Sequence, residues 1–130
     1  MKADSSSMYE LSVDTHFSAA HNLRGYMGDC ARMHGHNWGV TVTLGTVSLN
    51  DTGMGKDFKE ISTVLENIVK RFDHQTLNLL DEFADLNPTA ENIARIIYNL
   101  LSEKLEDVDV ISVTVAESER YRVTYKKRNC

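Results

Sequence analysis

Cys30-Ala31-Arg32-Met33-His34-Gly35-His36-Asn37-Trp38-Gly39-Val40-Thr41-Val42-Thr43-Leu44 is the stretch on which the fold turns. From His34 onward the residues sort by parity. His34, His36, Trp38, Val40, Val42 and Leu44 share one face of a strand, while Asn37, Gly39, Thr41 and Thr43 share the other. A row that is mostly apolar and begins with two imidazoles describes a strand buried on one side, its histidines continuing the buried row. The opposite row is small and β-branched, so another backbone or sheet can approach it closely.

Two histidines leaving one face can converge on a single metal ion. His21 is the nearest third ligand, following Phe17-Ser18-Ala19-Ala20, which has the apolar and small residues of a strand end. Three neutral imidazoles with no fourth protein ligand make the open tetrahedral site of a catalytic zinc rather than the closed site of a structural one. Cys30 has two readings: a working thiol beside the metal, or a buried and inert small hydrophobe. Its neighbours Gly28, Asp29 and Arg32 are polar or small and argue against deep burial.

On the N-terminal side, Tyr9, Leu11, Val13, Thr15 and Phe17 alternate with Glu10, Ser12, Asp14 and His16, giving a half-buried strand with His16 facing solvent. Residues 22–29, with Gly25 and Gly28, read as a loop, as do residues 48–55. Asp57 followed by Glu60 has the spacing of a helix cap. Phe58, Ile61, Leu65, Ile68 and Phe72 then form the stripe of an amphipathic helix of about four turns. Asp73-His74 ends it, either as a carboxylate that orients an imidazole or as a histidine favoured by the helix dipole. Asn87-Pro88 opens a second helix, with Asn as cap and Pro at the first helical position, and Ile93, Ile96, Ile97, Leu100, Leu101 and Leu105 as its buried stripe. Ile111, Val113, Val115 and Glu117 share a face of a third strand, where Glu117 either caps the row in water or carries chemistry. Tyr121, Val123 and Tyr125 form a fourth strand, and Lys126-Lys127-Arg128 a solvated end. The order ββααββ predicts an α+β domain: a four-stranded antiparallel sheet with both helices on one face. Its other face is suited to the inside of a multi-subunit barrel.

The chain has 130 residues, enough for a single domain over 9–130 after a polar tail over 1–8. That is short for an enzyme enclosing its substrate alone, so a wall borrowed from a neighbouring subunit is expected. An apolar share of 42% with 25% charged residues places it among soluble globular proteins. No run approaches a membrane span, and Met1-Lys2-Ala3-Asp4-Ser5-Ser6-Ser7 lacks the core of a signal peptide, so a cytoplasmic protein without a membrane partner is expected. Two cysteines make no disulfide framework, and Cys130 reads as a tail thiol without function. A formal charge of −5 argues against nucleic-acid binding. A small anionic substrate is allowed through a local basic cluster, for which Arg24, Arg32 and Lys56 are candidates.

Six segments in register carry a family resemblance: Phe17-Ser18-Ala19-Ala20-His21, Cys30-x3-His34-Gly35-His36, Asp57-Phe58, Asp73-His74-x2-Leu77-Asn78, Asn87-Pro88-Thr89-x-Glu91-Asn92 and Val113-x-Val115-x-Glu117. Together they resemble the family of 6-pyruvoyl- and 6-carboxytetrahydropterin synthases over about residues 9–125. The resemblance implies a tunnelling fold, with subunits joining their sheets into trimeric barrels that pair as a homohexamer and active sites at subunit boundaries. It implies Zn2+ on His21, His34 and His36, Cys30 as the proton-abstracting thiol, and Asp73 with His74 as a charge-relay pair. It further implies Glu117 as the carboxylate gripping the pterin ring, Thr89 as a second substrate contact, and 7,8-dihydroneopterin triphosphate as substrate.

The spacing of three residues between Cys30 and His34 resembles the carboxy-forming branch, which serves queuosine biosynthesis; the pyruvoyl-forming branch typically carries two more. The expected activity is therefore that of a zinc-dependent lyase making 6-carboxy-5,6,7,8-tetrahydropterin with loss of acetaldehyde and triphosphate. Alternatives are a pyruvoyl-forming synthase, which only eliminates triphosphate, and a non-catalytic pterin- or metal-binding module. One departure stands out: Gly55 and Lys56 occupy places where the family usually has apolar residues.

Overall fold

The computed structural model describes residues 8–128, so that Cys130 and the expected tail up to Ser7 lie outside the described residues. Two long strands, β1 (Tyr9–His21) and β2 (His34–Thr46), pair antiparallel along their whole length, from Tyr9 opposite Thr46 to His21 opposite His34. After α1 (Phe58–Val69) comes β3 (Gln75–Thr76), which pairs parallel with Ala19 and Ala20 of β1. Then follow α2 (Ala90–Lys104), β4 (Asp109–Ala116) against β2, and β5 (Arg122–Tyr125) against β4. The sheet order is β3-β1-β2-β4-β5. The α+β class is as expected, but the sheet has five strands rather than four. β3 is two residues long, too short to show any alternation in sequence.

Parity sets the layers as read from the sequence. Phe17, Ala19, Trp38, Val40, Val42, Leu44, Val113 and Val115 are buried, and they join the inner stripes of α1 and α2 in one core. Full burial of Ile61, Leu65, Ile93 or Phe72 contributes about 1.5–3 kcal/mol each. The opposite sheet face is polar: Thr41 Oγ1 donates to Asp14, and Ser12 meets Thr43 and Thr114 meets Thr124 through their hydroxyls. His16 lies on that face and is exposed, as expected.

Four details differ from the sequence expectation. The register of β2 against β4 shifts between Thr43 and Leu44, where Leu44 faces Val110, so Ile111 becomes the extra residue of a bulge and Val110 takes the inward place. Phe58, at the first position of α1, points outward at 55% exposure. Asp57 does cap α1, accepting from Lys59 N–H at 2.9 Å, but Glu60 turns to Lys56 instead of back to the cap. The cap of α2 is Thr89, whose hydroxyl accepts from Asn92 N–H at 3.1 Å, while Pro88 sits just outside the helix and Asn87 is used elsewhere.

The Gly55-Lys56 departure has a local explanation. Lys56 Nζ donates to Glu60 at 2.9 Å and to Asp107 at 2.8 Å, tying the start of α1 to the turn after α2. Gly55 passes so close to β2 that a Cβ there would lie 2.5 Å from Thr46 Cγ2 and 3.3 Å from Leu11 Cδ1. The methyl of a β-branched residue cannot swing away as a long side chain would. Gly55→Ala is therefore expected to lower unfolding free energy by about 1–3 kcal/mol, read from the midpoint of urea denaturation; an unchanged midpoint would mean that the loop yields freely.

Candidate metal centre

The β1–β2 register brings His21 and His34 opposite each other, and His36 opposite Ala19, on the face covered by the helices. The three ring-nitrogen ligand atoms lie within 4.8 Å of one another, and the ring centroids are 4.6 to 5.2 Å apart. Trp38 forms the floor of this cup. Its ring stands edge-on to His21 at 4.8 Å and to His36 at 5.2 Å, and its indole N–H donates to the Ala19 carbonyl at 3.3 Å.

Second partners fix which nitrogen each ring presents. His21 Nδ1–H donates to the Pro88 carbonyl at 2.7 Å and His34 Nδ1–H to the Arg32 carbonyl at 2.7 Å, so each directs Nε2 inward. The Nε2 atoms of His21 and His36 are buried without any hydrogen-bond partner among the described residues. Buried polar atoms in native proteins are nearly always paired. A cation taking both lone pairs satisfies them together, so the residues fit a metal ion by geometry and by donor chemistry. Burial pushes the pKa of His21 and of His36 below the ordinary histidine value, with Pro88 and Glu117 opposing the shift at His21 and Glu117 opposing it at His36. Both rings are thus held toward the neutral form that ligates metals.

The other expected site residues take distinct places. Glu117 Oε2 stands 3.9 Å from His36 Nε2, on the rim of the cup. Cys30 is half-buried in a 3-10 turn (Asp29–Ala31) and is not one of the clustered ligand atoms. Asp73 and His74 lie beyond the end of α1 rather than in its last turn, so the helix dipole does not explain the histidine. Their side chains do meet despite being sequence neighbours: His74 Nδ1–H reaches Asp73 Oδ2 at 2.9 Å. The geometry depends on His74 adopting φ 58. Asp73 Oδ1 accepts from Ser18 N–H at 2.9 Å, and that bond, followed by the one to His74, holds its carboxyl below the usual range. The His74 side chain is 82% exposed, and no hydrogen bond joins it to Cys30 among the described residues.

Of the three cations considered for an anionic substrate, two are engaged. Lys56 is bound to Glu60 and Asp107. Arg24 donates to the carbonyls of Phe83 and Leu86 at 2.6 and 2.7 Å, organising the segment that ends at Pro88. Arg32 is exposed, and among the described residues its guanidinium meets only Asp29, at 3.4 Å. The supporting asparagines were not legible as such. Asn87 Oδ1 accepts Arg24 N–H and its Nδ2 donates to the Arg24 carbonyl, both at 2.9 Å, and nothing in periodicity or spacing announces a side chain gripping a distant backbone.

At the end of the sheet the structure thus places a three-imidazole cup that could hold a metal ion, with a carboxylate on its rim, and the comparisons give the family. The family model described as 6-pyruvoyl tetrahydropterin synthase matches residues 10–128, and the chain belongs to that family. It is similar to a protein of Archaeoglobus fulgidus provisionally named 6-carboxy-5,6,7,8-tetrahydropterin synthase, at 37% identity over 84% of this chain and 88% of the relative. It is also similar to the 6-carboxy-5,6,7,8-tetrahydropterin synthase of Bacillus subtilis, at 31% identity over 92% of this chain and 86% of the relative. The solved structure of the Caenorhabditis elegans 6-pyruvoyl tetrahydropterin synthase shares the fold with a TM-score of 0.84, at 23% identity, over 98% of this chain and 100% of that one.

Thr89 follows Pro88 directly, so the cap of α2 and the orientation of His21 are local neighbours. Thr89→Ala should destabilise the protein by about 0.5–2 kcal/mol and Thr89→Ser should not, measured by urea denaturation. An alanine variant as stable as wild type would show that the hydroxyl does not anchor the helix.

Proposed function

We propose that this protein is a zinc-dependent 6-carboxy-5,6,7,8-tetrahydropterin synthase acting on 7,8-dihydroneopterin triphosphate and releasing acetaldehyde and triphosphate. The observation that carries the reading is the pair of buried, unpartnered imidazole nitrogens in the His21, His34 and His36 cup. The names of the two sequence relatives and the short Cys30-to-His34 spacing support the carboxy-forming product.

His21, His34 and His36 would hold the zinc, which when bound would supply Lewis acidity toward the substrate side chain. Cys30 is the base that takes a proton from the substrate side chain. The Asp73 carboxylate holds His74 through Nδ1, which leaves Nε2 free to move a proton and steadies the charge when the ring gains one. Glu117, on the rim, accepts two hydrogen bonds from the amino-pyrimidinone edge of the pterin. Thr89 donates the hydroxyl proton that its capping bond leaves unused. Arg32 is the basic side chain open to the triphosphate.

The exposed His74 ring, unbonded to Cys30 within one chain, suits a site completed at a boundary between subunits, in a homohexamer of two trimers. The working compartment is the cytoplasm and the pathway is of the queuosine type. Among the described residues no helix is long and apolar enough to cross a membrane.

Zinc-loaded protein incubated with 7,8-dihydroneopterin triphosphate should release acetaldehyde and the carboxypterin. A pyruvoyl product would assign the chain to the rival branch, and no turnover would leave a pterin- or metal-binding module. Metal analysis tests the ligand set separately: His34→Ala and His36→Ala should lose the metal, whereas Cys30→Ala should keep it. Loss of metal from Cys30→Ala would make the thiol a ligand and remove it as the base.

A further inference from the structure

β1 ends at His21, and the backbone of the next residue, Asn22, is bonded by a side chain. Asn78 Oδ1 accepts Asn22 N–H at 2.9 Å and its Nδ2 donates to the Asn22 carbonyl at 3.0 Å, so one side-chain amide supplies both bonds that a neighbouring strand would make. The parallel pairing of β3 with Ala19 and Ala20 is thereby extended by two residues. Held this way, Asn22 can aim its own amide at the Cys30 turn, where Nδ2 donates to the Ala31 carbonyl at 3.2 Å. Next to it, Leu23 N–H donates to the Cys30 carbonyl at 2.8 Å.

Apolar packing does not hold that turn. Residues 24–29 are all exposed, Cys30 itself is only half-buried, and the turn contains no buried residue. The bonds from Asn22 and Leu23 tie it to the end of β1, beside the His34 bond to the Arg32 carbonyl, and the first two depend on the backbone that Asn78 fixes. The chain of contacts also links three parts of the site. Asn22 follows His21, the turn carries Cys30, and Asn78 belongs to the segment that begins with Asp73 and His74.

We propose that Asn78, acting through Asn22, is a positioning residue that fixes the Cys30 turn against the histidine cup for proton abstraction. The assignment rests on the reading of Cys30 as the base. Placement errors of about an ångström at reacting groups cost on the order of 100-fold in rate. Losing a hydrogen-bonded clasp changes a local opening equilibrium by about 5- to 30-fold.

The test uses a Cys130→Ser background, so that Cys30 alone reports on iodoacetamide alkylation. Asn78→Ala and Asn22→Ala should each alkylate about 5- to 30-fold faster than the parent. Each should lose about 10- to 100-fold in kcat on 7,8-dihydroneopterin triphosphate with KM within about twofold, and should retain the parent's metal content. The combined variant should be no worse than either alone, because both act through one chain of contacts. Asn87→Ala removes a clasp of the same kind from Arg24 and should leave the alkylation rate unchanged. An unchanged rate in Asn78→Ala, an equal rise in Asn87→Ala, or faster alkylation with kcat intact would overturn the proposal. A parent that does not turn over, or an active Cys30→Ala, would instead remove Cys30 as base, while alkylation still decides whether the clasp holds the turn.

Discussion

The unbroken pairing of β1 with β2 is the constraint on which the site depends. Thirteen residues of each strand face one another without a bulge, from Tyr9 with Thr46 to His21 with His34. Side chains alternate, so a slip of one residue in either strand would turn its histidines out to the polar face and its core residues with them. Phe17, Trp38, Val40, Val42 and Leu44 fix the register through burial. The same hydrophobic energy that folds the sheet therefore gathers the imidazoles. The cup needs no organising element of its own beyond Trp38 beneath it and the carbonyls of Pro88 and Arg32 behind it.

Those two carbonyls come from opposite kinds of chain. Arg32 lies two residues from the histidine it serves, whereas Pro88 lies 67 residues along the chain from His21 and is brought to it by the entry into α2. Arg24 gathers the carbonyls of Phe83, Ala84 and Leu86, Asn87 returns the grip on Arg24, and Thr89 starts the helix immediately after Pro88. The orientation of His21 is thus coupled to a helix terminus and to a guanidinium that sequence charge alone would assign to an anionic substrate.

Both long strands, the two helices and the inward row of His34 and His36 were legible because burial on one face imposes a period that the residues display. What escaped has a physical reason in each case. β3 is too short to have a period, and the bulge at Ile111 preserves the hydrophobic character of the row while shifting its parity. Asn87 was read as the cap because its residue type also accepts backbone N–H groups, but the structure caps α2 with Thr89 and engages Asn87 with the Arg24 backbone. The meeting of Asp73 with His74 looked improbable for neighbours in sequence, since ordinary backbone angles splay adjacent side chains apart. It is achieved by a backbone conformation that composition does not report.

That conformation has a consequence for how the protein can change. At φ 58, His74 is the only non-glycine residue in the left-handed region among the described residues, a placement that costs on the order of 1–3 kcal/mol. Glycine would sit there without steric penalty. Under the proposed mechanism, glycine would also delete the imidazole that moves the proton. Stability and reactivity therefore pull this position in opposite directions, and a lineage of the fold released from its chemistry would be free to relax here first.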